Sequence, residues 1–320
     1  MGLGTPRPTA LVTGAAGFIG SHLIELLLHE GYEVVGLDNL MTGDLSNLQE
    51  IENERHFHFQ IGDVREPMHA YAQVVFNLAC PASPVHYQSD PHETFTASVL
   101  GAQRLIELAR GRNCKVIHAS TSEIYGDPDI HPQPESYWGH VNPVGPRSCY
   151  DEGKRAAETL LNFSNIDARI VRIFNTYGPR MAFNDGRVIS NFITQAITNK
   201  PLTIFGDGTQ TRSFCYVSDL ISGLFKISLL EKLDGPINLG NPSEHSIEKL
   251  ADLVIGLLNG TDGMYTTSSK EFRPLPSDDP KRRQPDISKA ERLIGFRPLI
   301  DINQGIRHTI LDFAERLRDN

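Results

Sequence analysis

The stretch VTGAAGFIG, residues 12–20, constrains this chain more than any other. Its glycines, Gly14, Gly17 and Gly20, stand between the β-branched run ALVTG and the amphipathic stretch IGSHLIELLLHEG. Glycines there let a strand turn sharply into a helix, let the backbone approach a pyrophosphate and let the helix pack closely on the strand, while the helix N-terminal amides face the anion. The spacing is G-x-x-G-x-x-G, and for the glycines alone a plain turn is the alternative; the strand-turn-helix context argues against it. Asp38 ends the next apolar run, EVVGLD, where a carboxylate accepts hydrogen bonds from ribose hydroxyls and repels a 2′-phosphate. That favours NAD over NADP. Asp63, closing HFHFQIGD, is placed either to contact adenine or to cap its own turn.

The rhythm continues through VVFNLA, KVIHAS and ARIVRIF, with helical stretches such as GAQRLIELARG between them. Short buried runs alternating with amphipathic helices predict an α/β fold, a Rossmann-type doubly wound parallel sheet over residues 1–178. From Pro179 the pattern loosens, with prolines at 274, 276, 280 and 285, and a smaller C-terminal α/β substrate-binding unit is expected over 179–320, with the chain crossing between the two more than once.

A formal net charge of -9 leaves no basic face for nucleic acid, although Lys281-Arg282-Arg283 is a local patch suited to a phosphate or carboxylate. No apolar run approaches the roughly 20 residues of a membrane helix. Cys80, Cys114, Cys149 and Cys215 have neither zinc-site nor disulfide-framework spacing, so they read as reduced thiols of a cytoplasmic protein. His56 and His58 share a strand face without neighbouring ligands, and no metal is expected.

Two stretches carry chemistry. STSEIYG, residues 120–126, sets Glu123 beside Thr121 at a strand end, and SCYDEGKRAAE sets Tyr150 and Lys154 four apart on one helix face. A phenol is a poor base at neutral pH, but a neighbouring ammonium and a cationic nicotinamide both favour the phenolate.

Through TGAAGFIG, STSEIYG and YDEGK the chain resembles the extended short-chain dehydrogenase/reductase family. Within it the chain is similar to the UDP-glucuronic acid decarboxylases, in NLACPASPVHYQSDP, RIFNTYGPRM, DGRVISNF, GDGTQTRSFCYVSDL and DDPKRRQPDI. The resemblance implies conversion of UDP-glucuronate to UDP-xylose through a 4-keto intermediate, with NAD kept bound. It makes Thr121, Glu123, Tyr150, Lys154 and Arg283 catalytic, with Arg282 the fallback for Arg283. Tyr150 takes the O4 proton, Thr121 holds that hydroxyl, Lys154 holds the nicotinamide ribose, and Glu123 with Arg283 handles the carboxylate and the C5 proton. The cofactor set it implies adds Phe18, Ile19, Asn39, Thr42, Gly43, Val64, Leu78, Thr176 and Arg187 to Gly14, Gly17, Gly20, Asp38, Asp63, Tyr150 and Lys154; the substrate set is Tyr87, Asn175, Arg212 and Arg283. Where the family usually has Lys-Thr, this chain has Thr96-Ala97.

A homodimer paired through helices around residues 98–110 and 150–161 is also expected. The alternatives are a decarboxylase that releases the 4-keto pentose, a UDP-sugar 4-epimerase or 4,6-dehydratase, and, outside enzymes, an NAD-binding regulatory protein. The intact Thr121, Tyr150 and Lys154 argue against the last.

Overall fold

A computed structural model describes residues 6–275 and 282–318; Pro276, Pro280 and Lys281 lie outside the described residues. Seven parallel strands form the central sheet: β1 (Thr9–Thr13), β2 (Glu33–Asp38), β3 (Phe57–Ile61), β4 (Val74–Asn77), β5 (Lys115–Thr121), β6 (Asp167–Ile173) and, from far along the chain, β11 (Ile237–Leu239). Their spatial order is β11-β6-β5-β4-β1-β2-β3. The order reverses between β1 and β4, and a doubly wound sheet opens a crevice for ligand at the carboxyl ends of the strands on either side of such a reversal.

Period-two alternation explains why the sheet is covered on both faces. Ala10 and Val12 of β1 join one core with Phe76 and Ile117, against helices α1 (Phe18–His29), α6 (Val217–Leu229) and α8 (Ser288–Ile294). Leu11, Val75 and Val116 point the other way, into a core with Leu105 and Ala109 of α3 (Pro91–Ala109) and Ala157 and Leu161 of α4 (Ser148–Asn162). Helix α3 starts ten residues before the periodic stretch at Gly101 suggests: Pro91 occupies its first turn and the Asp90 carboxylate caps the Glu93 N–H at 2.8 Å. It follows directly on the short α2 (Pro84–Ser89).

The remaining segments are β7 (Thr176–Tyr177), α5 (Val188–Ile197), β8 (Leu202–Phe205), β9 (Thr211–Ser213), β10 (Cys215–Tyr216), β12 (Glu244–Ser246), α7 (Ile247–Asn259), β13 (Lys270–Arg273), β14 (Arg282–Arg283) and α9 (Ile302–Arg318). A separate core gathers Phe192 and Ile193 of α5, Ile204 of β8, Leu250 and Val254 of α7, and Ile310 and Phe313 of α9. Residues beyond 179 thus serve both regions, since α6, β11 and α8 return to the large sheet. Strand β14 pairs with β9 in parallel, Arg283 opposite Arg212, and is held from the other side by Gln133, whose N–H donates to the Gln284 carbonyl at 2.9 Å.

Candidate active site

A cavity of about 640 Å³ runs along the carboxyl ends of the central strands. At one end is the glycine turn. Gly14 has φ +71°, and a Cβ on Gly20 would sit 2.0 Å from the Gly14 carbonyl oxygen, so neither position accepts a side chain. The first-turn N–H groups of α1 have no acceptor within their own helix, and Phe18, Ile19 and Gly20 line the cavity there. At the end of β2 the Asp38 carboxylate accepts from the N–H groups of Ala16 (2.9 Å) and Leu40 (2.8 Å), and burial pushes its pKa up. A bare backbone cradle at a helix N-terminus, with a carboxylate on the next strand end, fits a dinucleotide's pyrophosphate and ribose.

Asn39, Thr42, Asp63, Val64, Leu78, Thr176 and Arg187 line the same cavity, whereas Gly43 lies behind the wall, where a Cβ would stand 2.9 Å from Asp38 Oδ2. Asp63 is engaged by its own turn. Arg65 donates to it through Nε (2.9 Å) and Nη2 (2.6 Å), and its N–H also binds Asp63 Oδ1 (2.8 Å). These bonds hold Asp63 down at about 2 against the opposing effect of burial. Arg187 is likewise tied by its Nε to Asp185 at 2.6 Å.

The middle of the cavity holds the hydroxyl and phenol groups. Thr121 ends β5 and caps the tight turn Ser122–Tyr125, accepting from the Glu123 N–H at 3.2 Å. Tyr125 anchors that turn to β11 by donating to Asn238 Oδ1 at 2.8 Å, which fixes where Glu123 points. Tyr150, in the first turn of α4, shares the cavity wall with Thr121 and stacks on Tyr87, ring centroids 5.1 Å apart. One helical turn on, Lys154 Nζ donates to the Ala119 carbonyl at 2.8 Å and lies 5.8 Å from the centre of the Tyr150 ring. The sequence suggests a lowered phenol pKa, but in the protein alone burial pushes Tyr150 up, and Cys80, Glu123 and Asp151 add to the rise against the neighbouring Thr121 hydroxyl. The phenolate needs a further positive charge.

Beyond Tyr150 lies an ionic cluster. Arg283 grips Glu123 with two N–H groups, Nη1 to Oε1 and Nη2 to Oε2, the latter at 2.8 Å, and Arg147 donates to the same Oε2. Burial raises the Glu123 pKa, but the two guanidiniums outweigh it and hold the carboxylate at about 2. Asp151, 6% exposed, stands 4.0 Å from Arg147 Nε, and its Oδ1 has no hydrogen-bond partner. Burial first, and then the charge of Glu123, raise its pKa to about 7 against the pull of Arg147 and Arg283.

Arg147 and Asp151 are the residues that sequence reasoning misses. Both flank Tyr150 in PRSCYDEGKR, and the only local signal is their four-residue spacing. Tyr87, Asn175 and Arg212 also line the cavity, and the Arg212 guanidinium donates to the Thr211 carbonyl at 2.8 Å. Ala97 lines the wall too, while the Thr96 hydroxyl turns to the His92 carbonyl at 2.9 Å, so this pair brings no cation to the site. Among the described residues no group of three or more His, Cys, Asp or Glu is arranged to hold a metal.

A family model described as the NAD dependent epimerase/dehydratase family matches residues 10–240. The chain is 48% identical over 318 residues to UDP-glucuronic acid decarboxylase 3 of Arabidopsis thaliana, covering 98% of this chain and 91% of that one. It is 44% identical over 315 residues to UDP-glucuronic acid decarboxylase 1 of Xenopus tropicalis, covering 97% and 73%. In three dimensions it is similar to UDP-glucuronic acid 4-epimerase from Bacillus cereus in complex with UDP-glucuronic acid and NAD, with a TM-score of 0.83 and 31% identity over 97% of this chain and 99% of that chain.

Proposed function

The chain belongs to the NAD dependent epimerase/dehydratase family, and on that premise we propose that it decarboxylates UDP-glucuronate to UDP-xylose with no net redox change. One observation carries the reading: beside a Thr121-Tyr150-Lys154 set stands a buried carboxylate held by two guanidiniums, a centre equipped to receive and lose a carboxylate. NAD, held by the glycine turn, Asp38 and Lys154, would accept and return hydride at C4, creating transiently a ketone β to the C5 carboxylate, from which carbon dioxide leaves readily.

The chain's own residues do the rest. Tyr150 takes the O4 proton, and Thr121, on the same cavity wall, keeps that hydroxyl in line. Lys154 supplies positive charge below the ring and keeps N–H capacity beyond its bond to Ala119. Arg283 and Arg147 offer planar donors to the substrate carboxylate, for which Glu123 competes as the resident anion. Glu123 is the wrong group to store a proton while both arginines hold it at about 2; its part is to hold the guanidiniums in place and to repel the carboxylate as it leaves. Arg212 and Asn175 are assigned to the UDP diphosphate and sugar, with Tyr87 over the sugar beside Tyr150.

The reading includes an NAD-binding unit over 1–178, a mainly UDP-sugar-binding unit over 179–320, and a homodimer. Phe95 and Leu100 on α3 and Phe163 at the end of α4 are exposed, supporting pairing through those helices. No described helix is long and apolar enough to cross a membrane, and all four cysteines are free, which supports a reducing, cytoplasmic setting.

The test is incubation with UDP-glucuronate, followed by mass analysis of the sugar nucleotide and absorbance at the NADH band. The expected product is a UDP-pentose without accumulating NADH. A six-carbon product would replace the reading with 4-epimerisation, which the similarity to the Bacillus cereus epimerase favours; a 4-keto pentose with free NADH would point to the releasing variant.

A further inference from the structure

Buried charges in this site almost balance. Arg147 and Arg283 carry two positive charges; Glu123 takes donors from both, and Asp151 stands 4.0 Å from Arg147 Nε with one oxygen unpartnered inside the protein. With Asp151 ionised these four groups sum to zero; the buried ammonium of Lys154 lies on the other side of Tyr150, turned to the Ala119 carbonyl. A substrate carboxylate arriving at the same guanidiniums makes a third anion for two cations, in a place too buried for water to screen it.

Resting on the decarboxylase reading, we propose that Asp151 takes up one proton from solvent when the substrate carboxylate binds, and holds it beside Tyr150 until carbon dioxide leaves. The balance of the reaction asks for this. Replacing a carboxylate by hydrogen, R–COO⁻ + H⁺ → R–H + CO₂, consumes one proton: the C–C bond electrons stay on C5 and a proton must join them. When carbon dioxide departs, the negative charge moves off the guanidiniums onto the C5–C4–O4 enolate, so what made Asp151 hold its proton is gone and the proton is free at the step that consumes one. Asp151 acts here as a positioning and proton-storing residue; it does not touch the reacting carbon.

The groups facing Asp151 support this assignment. Arg147 stands just ahead of its helix, Cys149, Tyr150 and Glu152 lie on it, Glu123 comes from the turn after β5, Arg283 from β14, and the Tyr87 phenol from α2. Tyr87 Oη is also buried without a partner. Helix α3 presents Phe95 and Ser98 to Gly153 of the same helix, both uncharged. Glu158, two turns on, is committed to Arg172 at 2.8 Å. In the free protein Asp151 already titrates at about 7. A further anion on the same guanidiniums raises a carboxylate by on the order of one to two pH units.

The experiment uses the Tyr150→Phe protein, whose turnover is expected to be slowed about a hundredfold or more so that binding is read before reaction, in weak buffer with a pH indicator. UDP-glucuronate is compared with UDP-glucose, so that the shared diphosphate cancels. The expected result is an excess uptake of about 0.4–0.5 proton per site at pH 7 and of about 0.4–0.8 at pH 8, the larger figure for the larger rise, because the bound-state pKa lies above the free one. Affinity for UDP-glucuronate relative to UDP-glucose then weakens as pH rises above 7, by up to about tenfold per pH unit until the bound-state pKa is reached. Adding Asp151→Asn should abolish the excess. With Asp151 left intact, the infrared difference spectrum should show a new protonated carboxylic acid carbonyl on UDP-glucuronate binding, which keeps the test decisive if the asparagine variant does not fold. Equal uptake for both nucleotides, uptake that survives Asp151→Asn, or no new acid carbonyl overturns the proposal while leaving the decarboxylase reading intact. Failure of UDP-glucuronate to bind overturns both.

Discussion

Glu123→Gln keeps the shape of the side chain and removes its charge from between two guanidiniums. Arg283 is 5% exposed at its side chain and Arg147 15%, so neither can turn to water when its partner is neutralised. Burial works against the Glu123 anion, yet the two arginines bring its pKa from an ordinary 4.5 to about 2. At 1.36 kcal/mol per pH unit this corresponds to about 3 kcal/mol of folding free energy, in line with the roughly 3–5 kcal/mol lost when one partner of a buried ion pair is removed. The group's pKa is depressed on folding, so its contribution is full above about pH 4.5 and is lost as pH falls toward 2. Urea unfolding with linear extrapolation, at pH values from 7 down to 3, is the assay. The variant should be less stable by about 3 kcal/mol at pH 7, and the gap to the native protein should narrow below pH 4.5. A gap of under about 1 kcal/mol at pH 7, or one that stays constant down to pH 3, would refute the account of Glu123 as the ion that holds the cluster together.

Tyr150→Phe should leave folding near native, since the ring still stacks on Tyr87, while turnover falls by about a hundredfold or more; residual activity near native levels, measured by carbon dioxide release, would remove Tyr150 from the proton-transfer role. Gly20→Ala places a methyl 2.0 Å from the Gly14 carbonyl oxygen, so thermal unfolding and NAD titration should show a loss of about 1–3 kcal/mol and weakened cofactor binding together. Phe95→Asp combined with Leu100→Asp, both at exposed positions of α3, should yield a monomer by light scattering where the proposed pairing makes the unaltered chain dimeric; a chain already monomeric at micromolar concentration would count against pairing through α3 and α4.

Local chemistry is legible in the sequence because its physics is local. The glycine turn, the strand ending in Asp38 and the one-turn spacing of Tyr150 and Lys154 each depend on residues within a few positions of one another, and backbone sterics with helical periodicity place them. The start of α3 was locally encoded as well, in Asp90 and Pro91, though apolar periodicity alone does not find it. The ionic cluster has no such local signature. Arg283 reaches Glu123 across 160 residues of chain, from a two-residue strand placed by β9 and Gln133, and only packing decides that it arrives there. Arg147 reads in the sequence as one more charge ahead of a helix; its role comes from the turn that points Glu123 at it. Asp151 differs most between the two levels, because an aspartate in the first turn of a helix is ordinarily a solvated anion at home in the helix dipole. The tertiary fold buries it among Tyr87, Arg147 and Glu123, and the loss of water there, which no sequence pattern reports, turns an ordinary acid into one that titrates at about 7.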